Sequence, residues 1–544
     1  MNSTGRVARD EGRGLQRHGR QCDGPVRRRR PIGGNVVVGG GPPKVAAVLA
    51  ALALVAAACA RTPAPTPAST PPVAADTGPA ALPTRPSSLD RSTRPALAPP
   101  KSLTLPPVVT RELPNGMKLV VVEQHELPIV DFVLLVGTGA EADPAPRPGV
   151  ATLTAELLDE GTAARSALAI ADQEAYLGVA IETASGWDAS RVTLHTPTAQ
   201  LDSALALFAD VALNPAFPQR EFDRVKRERL TDLIQLKDRA PDIADRAYAA
   251  VLYGGRHPYG HPLEGTEASV RLVGRGDVQR FYRTYYRPNN ATLIAVGDVT
   301  PDDVERRARA LFGAWQRATV PAATVGAAPG RGKTAVYLVD KAGAPQTSVR
   351  IGVVGVPRST EDYFALVVMN TILGGAFTSR LNQNLRESHG YTYGAFSSFD
   401  MRRAAGPFVA RAEVTGAKTD SSLAEFMKEL RRIRDTVPTV ELEKAKRYLQ
   451  LHLPARFETT GQIATQLVPL VLYGLPLDFY NGYVQRVEQV TQADVQRVAQ
   501  RYVNPDNLAI VIVGDRKSIE APVRALGLGE LSIRDMAGLP VAVP

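Results

Sequence analysis

The sequence predicts a mixed α+β fold built from two similar domains, and an internal repeat carries the prediction. DVQRFYRTYYRPNNATLIAVGDV (277–299) matches DVQRVAQRYVNPDNLAIVIVGDR (494–516) without a gap, at an offset of 217 residues. Asp277/Asp494, Arg280/Arg497, Tyr285/Tyr502, Pro288/Pro505 and Asn290/Asn507 coincide. Each copy reads as a helix, a turn at Pro-x-Asn, then a buried apolar strand. Upstream, LPIVDFVLLVGTG (127–139) lies loosely opposite PQTSVRIGVVGVP (345–357). A repeat this long implies duplicated domains and not a solenoid.

The elements follow in order. Residues 1–44 hold ten basic residues against three acidic ones, so +7 of the formal net charge of +9 belongs to them. Only +2 is left for the other 500 residues, which excludes a nucleic-acid-binding surface as the meaning of the high pI. After Lys44 comes VAAVLAALALVAAA (45–58), too short to span a bilayer comfortably and right for a signal-peptide core. It ends at Ala56-Ala57-Ala58-Cys59, which resembles a bacterial lipobox with Ala56 where leucine is usual. Lipidation at Cys59 is the reading, with simple secretion and an uncleaved anchor as alternatives. The location implied is the periplasmic side of a bacterial envelope. The basic stretch is long for a signal peptide, consistent with a translation start further downstream, which would remove Cys22. Residues 60–105, rich in Pro, Ala and Thr, cannot bury a core and read as a disordered tether.

The folded body divides into 106–318 and 333–530, with a linker at 319–332 and a tail at 531–544. Gly332-Lys333-Thr334 in the linker mimics the end of a phosphate-binding loop. The partner glycine would fall at 327, which is alanine, and no apolar strand precedes it.

Several motifs are longer and more specific. PGVATLTAELLDEGT (148–162), HPYGHPLEGT (257–266), LGGAFTSRLNQNLRESHGYTYGAFSSF (373–399) and VELEKAKRYLQLHL (440–453) resemble signature segments of the pitrilysin/insulinase-type zinc peptidases, the M16 family. The resemblance spans essentially the whole folded body. It implies two homologous domains, each a mainly antiparallel sheet packed with helices, together forming a bowl-like half of a clamshell.

Active members carry an inverted H-x-x-E-H zinc motif on the first of these segments. Registered on Gly149 and Gly161-Thr162, its two histidines and catalytic glutamate fall on Thr152, Glu156 and Ala155. Zinc hydrolysis needs two imidazoles one turn apart and a carboxylate to take a proton from bound water. None is present. The family's third ligand, a glutamate about 76 residues on, corresponds to Asp232. Thr152, Glu156 and Asp232 would then surround the former metal position. Their oxygens suit calcium or magnesium better than zinc, and two facing acids can also be bridged by an arginine or solvated. No cofactor is expected in this chain. His257 and His261 are four apart, but the prolines after each make this a loop and not a ligand-bearing helix.

The second domain keeps what the first has lost. An Arg and a Tyr seven residues apart grip the substrate backbone and the tetrahedral intermediate in the family, and the pattern maps onto Arg386 and Tyr393. The resemblance therefore implies the non-catalytic subunit of a heterodimeric M16 peptidase. A partner carrying H-x-x-E-H would supply the zinc, and peptides would be the substrate. The edge strand that receives them would lie near 178–190. The alternatives are a zinc-free peptide-binding or assembly protein of the envelope, and an autonomous peptidase of unconventional chemistry.

Overall fold

The computed structural model describes residues 105–330 and 332–541. The leader, Cys59 and nearly all of the tether lie outside the described residues. The first sheet comprises β1 (Val108–Glu112), β2 (Lys118–Glu123), β3 (Ile129–Val136), β4 (Ala180–Ser185), β5 (Ser190–Pro197) and β6 (Ala291–Gly297). Its spatial order is β1-β2-β6-β3-β5-β4, antiparallel except for β2 beside β6. The second holds β7 (Ala335–Asp340), β8 (Gln346–Val354), β9 (Thr392–Phe399), β10 (Pro407–Thr415), β11 (Ala509–Gly514) and β12 (Glu530–Arg534), in the order β12-β7-β11-β8-β10-β9. The predicted repeat is thus a repeat of topology. The apolar strands β6 and β11 occupy matching interior positions and are buried at every residue, as continuous apolar runs must be.

The two sheets differ at one outer edge. β1 runs antiparallel to β2, whereas β12 runs parallel to β7. This corrects the boundary at 530: residues 531–534 complete the sheet, because β7 otherwise offers an unpaired edge. The chain then turns back, with Arg534 bridged to Pro540 and Gly538 lying against Ala247.

Each half also covers the other. The helix Ala240–Tyr253 belongs to the first domain in sequence but packs on β8 and β11 of the second sheet. Its Ile243, Ala247, Tyr248 and Leu252 share a core with Val339, Ala509, Val511 and Val513. The Tyr248 hydroxyl donates to the Phe408 carbonyl at 2.5 Å. Conversely, the helix Thr460–Leu472 packs on β3 and β6, joining Val120, Val133, Ile294 and Val296 to the second domain's core. Each fully buried aliphatic side chain here contributes about 1.5–3 kcal/mol by leaving water. Asp188 adds a polar tie, accepting from Tyr259 Oη (2.8 Å), Tyr473 Oη (2.9 Å) and the Arg403 amide (2.7 Å). The linker is part of this seam: Val325 and Ala328 pack against the shared core and the Gly326 carbonyl lies 3.0 Å from His257 Nε2.

Candidate functional site

The motif helix Val150–Glu156 begins at Gly149, whose φ of +99° only glycine adopts cheaply. A Cβ there would also meet the Glu264 carbonyl at 2.7 Å. Asp143 caps the helix from outside, its carboxylate accepting from the Gly149 amide (2.6 Å) and the Ala151 amide (2.7 Å). Burial pushes Asp143 up to about 7, against the pull of those amides. The HPYGHPLEGT segment clasps the same helix: Gly265 abuts the Pro148 carbonyl, and Ser269 Oγ donates to that carbonyl at 2.9 Å. His257 starts a 3-10 turn, Pro258–Gly260, and its Nδ1 accepts from the Tyr259 amide at 3.0 Å. Burial lowers the His261 pKa. Both histidines sit in a packed loop, as the prolines predicted.

The degenerate motif positions face a group the sequence reading did not select. Arg229, with a side chain only 6% exposed, reaches in from the helix Gln219–Gln235. Its Nη2 donates to Glu156 Oε1 at 2.5 Å, and Nη1 donates to Thr152 Oγ1 at 3.1 Å and to the Glu264 carbonyl at 3.0 Å. The Thr152 hydroxyl has the Gly149 and Leu263 carbonyls as its acceptors, each at 3.1 Å. Ala155 is fully buried. Asp232, expected near this point, is instead exposed. Helical geometry explains the difference: Phe222, Val225, Arg229 and Leu233 form the buried face, and Asp232 falls on its flank. The spacing of that face was the signal available in the sequence.

These residues do not fit a zinc ion. Thr152 and Glu156 already bind a guanidinium, which offers only donors and a positive charge. A methyl group stands where the base would be. Among the described residues, no group of three or more His, Cys, Asp or Glu side chains is placed to hold a metal.

The second domain presents a different picture. Arg386 lies in a π-helical turn, Gln383–Ser388, a geometry enriched at functional positions. Its guanidinium stacks over the Phe377 ring, 4.4 Å from the centroid, with Nη1 3.0 Å from Glu387 Oε1. Asn382, fully buried, ties this region to the sheet by donating to the Phe377 carbonyl (2.6 Å) and accepting from the Ala395 amide (3.1 Å). Tyr393 stands on β9, the outer strand of its sheet. There the register slips: Ala395 opposes Ala412 and Thr392 opposes Val414, so Tyr393 and Gly394 together face Glu413 alone. This β-bulge re-aims the side chain, and Tyr393 is 90% exposed. Tyr391 is half-buried beside His389, in keeping with a packing role. In the first sheet the matching outer strand is β4, within the segment expected to be an edge.

Fold and site together define a class of two matching α+β domains in which the first domain's motif helix is tied by an ion pair to a neighbouring helix. Comparison with known proteins gives that class its family. Residues 118–266 match insulinase (peptidase family M16), and residues 273–449 match the peptidase M16 inactive domain; together these cover more than half of the chain. A peptidase M16 inactive domain from Pseudomonas fluorescens is 28% identical, with a TM-score of 0.71 over 75% of this chain and 98% of that one. An uncharacterized zinc protease of Mycobacterium tuberculosis is 27% identical over 76% of this chain and 95% of its own length. A protein of Helicobacter pylori named as a non-peptidase homolog is 21% identical over 75% of this chain and 95% of its own. The chain belongs to the M16 peptidase family, as a member of the non-catalytic type.

Proposed function

We propose that this chain is the substrate-binding, non-catalytic subunit of an M16-type metallopeptidase at the bacterial cell envelope, held there through Cys59. Its partner is a second M16 chain that carries H-x-x-E-H and the zinc. The observation that carries the reading is the bulge at Tyr393-Gly394, which turns a phenol out of the sheet beside the turn bearing Arg386. A core-packing tyrosine needs no such device. In the assembled site the Arg386 fork donates to a peptide carbonyl, and the Tyr393 hydroxyl donates to the oxyanion as it forms. Both are hydrogen-bond donors that act without a metal in this chain. Peptides would add to a strand edge, so backbone hydrogen bonds supply affinity and sequence selectivity is low.

Closure of the first domain's site by Arg229 supports a second reading, a binding or assembly protein that holds peptides without cleaving them. One experiment separates the two. Peptide cleavage is measured for this chain alone, for the H-x-x-E-H partner alone and for the mixture, then repeated with Arg386→Ala and Tyr393→Phe. The first reading expects activity only in the mixture, falling roughly 10²-fold or more with either substitution. A mixture no faster than the partner alone removes it and leaves the binding reading.

A further inference from the structure

Strands β9 and β10 present two unlike faces. Phe408, Ala410, Ala412 and Val414 of β10 and Ala395 of β9 belong to the second domain's core. Alternation therefore sends Arg411 and Glu413 to the opposite face, together with Phe396, which pairs with Arg411 across the strands. In a regular strand Tyr393 would point into the core with Ala395. The bulge that sets Tyr393 and Gly394 together against Glu413 brings Tyr393 to the Arg411 face instead. The Phe396 ring lies against Gly394, where a Cβ would meet it at 2.7 Å. One face of this outer edge thus carries Tyr393, Phe396 and Arg411.

The charges on that face are unevenly matched. Arg350, directly across from Arg411 on β8, has a side chain only 3% exposed. It donates from Nε to Asp245 Oδ1 at 2.6 Å and from Nη1 to Glu413 Oε1 at 2.9 Å. The Ser348 hydroxyl donates to the other Glu413 oxygen. Both nearby acids are therefore engaged by Arg350. Arg411 is half-buried and makes no hydrogen bond or ion pair with any described residue. Like charges directly opposite on neighbouring strands cost stability, and only one of these two arginines has its counter-ions in contact. The free one has the planar fork that matches a carboxylate.

We infer that Arg411 binds a carboxylate of the peptide substrate, either an acidic side chain or a free C-terminus, with the Phe396 ring beside it as an apolar floor. The inference rests on the reading of Tyr393 as a substrate-binding residue. Arg411 and Glu413, the residue that faces Tyr393, are two apart on β10, about 7 Å along the strand. An extended peptide advances about 3.3 Å per residue. The carboxylate then lies within about two residues of the carbonyl that Tyr393 receives. The substrate class is peptides with an acidic residue or a chain end close to the cleaved bond.

The test is calorimetric titration of the intact chain, without a partner, with three peptides. They are acetyl-Ala-Ala-Phe-Ala-Ala amide, which has no carboxylate, the same peptide with a free C-terminus, and acetyl-Ala-Ala-Phe-Asp-Ala amide. At least one carboxylate peptide should bind about tenfold tighter than the neutral one, and which of them does identifies the source. Arg411→Gln should bind all three as weakly as the parent binds the neutral peptide, at an unchanged unfolding midpoint. Arg411→Lys keeps the charge without the fork, should reduce the preference to about threefold, and serves if Arg411→Gln does not fold. The inference is overturned if no peptide binds, if the neutral peptide binds as tightly as both others, or if either variant keeps the full preference. A carboxylate preference in a chain whose mixture cleaves nothing would remove the peptidase reading and leave this site standing. Cleavage by the mixture without the preference would do the reverse, so the two failures are distinguishable.

Discussion

The two domains share strand order, a helix–turn–strand unit and an exchanged helix, yet their key positions have opposite fates. In the first, Thr152 and Glu156 are turned inward and tied to Arg229 within a packed interior. In the second, Tyr393 is thrown outward by a bulge on an outer strand. Duplication preserved what burial enforces and left the remaining positions free to diverge. A buried carboxylate must be neutralised within the fold; an exposed side chain need not be.

The sharpest way to break that contrast is at Arg229. Arg229→Ala leaves Glu156 without its counter-charge and should cost about 3–5 kcal/mol in urea-induced unfolding. Arg229→Met combined with Glu156→Leu should recover most of it, because both charges leave together. If the chain acts as proposed above, Arg386→Ala should do the converse, removing activity of the mixed complex while the unfolding midpoint stays put. If Arg229→Ala unfolds as the parent does, the ion pair is not what closes the site.

A smaller effect tests whether the halves are one cooperative unit. Tyr248→Phe deletes the bond that a first-half helix makes to the Phe408 carbonyl in the second sheet, at a cost of about 1–3 kcal/mol. Trp315 packs against the first half's own core, so its fluorescence in a Trp187→Phe background reports that half, whereas Trp187 lies at the seam under the Arg402 guanidinium. Fluorescence and far-UV circular dichroism should give one coincident transition, shifted equally by the substitution. Separated transitions would show that the exchanged helices do not couple the domains.

Much of this was legible in the sequence, and the rest failed for identifiable reasons. The repeat located both sheets because continuous apolar runs such as ATLIAV and LAIVIV have few other uses. The exchange of helices was not legible: an apolar stripe shows that a face is covered but not by which sheet. That is also why the linker looked free and the boundary at 530 fell one strand short. Arg229 hid within RVKRER, where composition cannot tell which base turns inward, although the 222, 225, 229, 233 spacing could. The bulge left one trace, Gly394 inside a strand.

The weakest contrast concerns Glu141 and Arg358, which follow the comparable strands β3 and β8. Glu141 is buried, accepting from the Gly139 amide at 2.8 Å through Oε2, while Oε1 has no partner. Burial, then the nearby Asp188 charge, push its pKa up to about 8 from an ordinary 4.5. Between those values the folded chain keeps a proton that the unfolded chain has lost. Stability from this group therefore falls as pH rises through the window and is fully lost above about 8. Arg358 instead stacks its guanidinium on Tyr363, 3.9 Å from the ring centroid. Glu141→Gln should flatten the fall in melting temperature between pH 5 and 8.5. Asp143→Asn should flatten only the part below about 7, where its own raised pKa acts. Arg358→Gln should lower melting by a similar amount at every pH. A Glu141→Gln curve parallel to the parent's would mean that the carboxyl is ionised in the fold, and the asymmetry between the two positions would be one of packing alone.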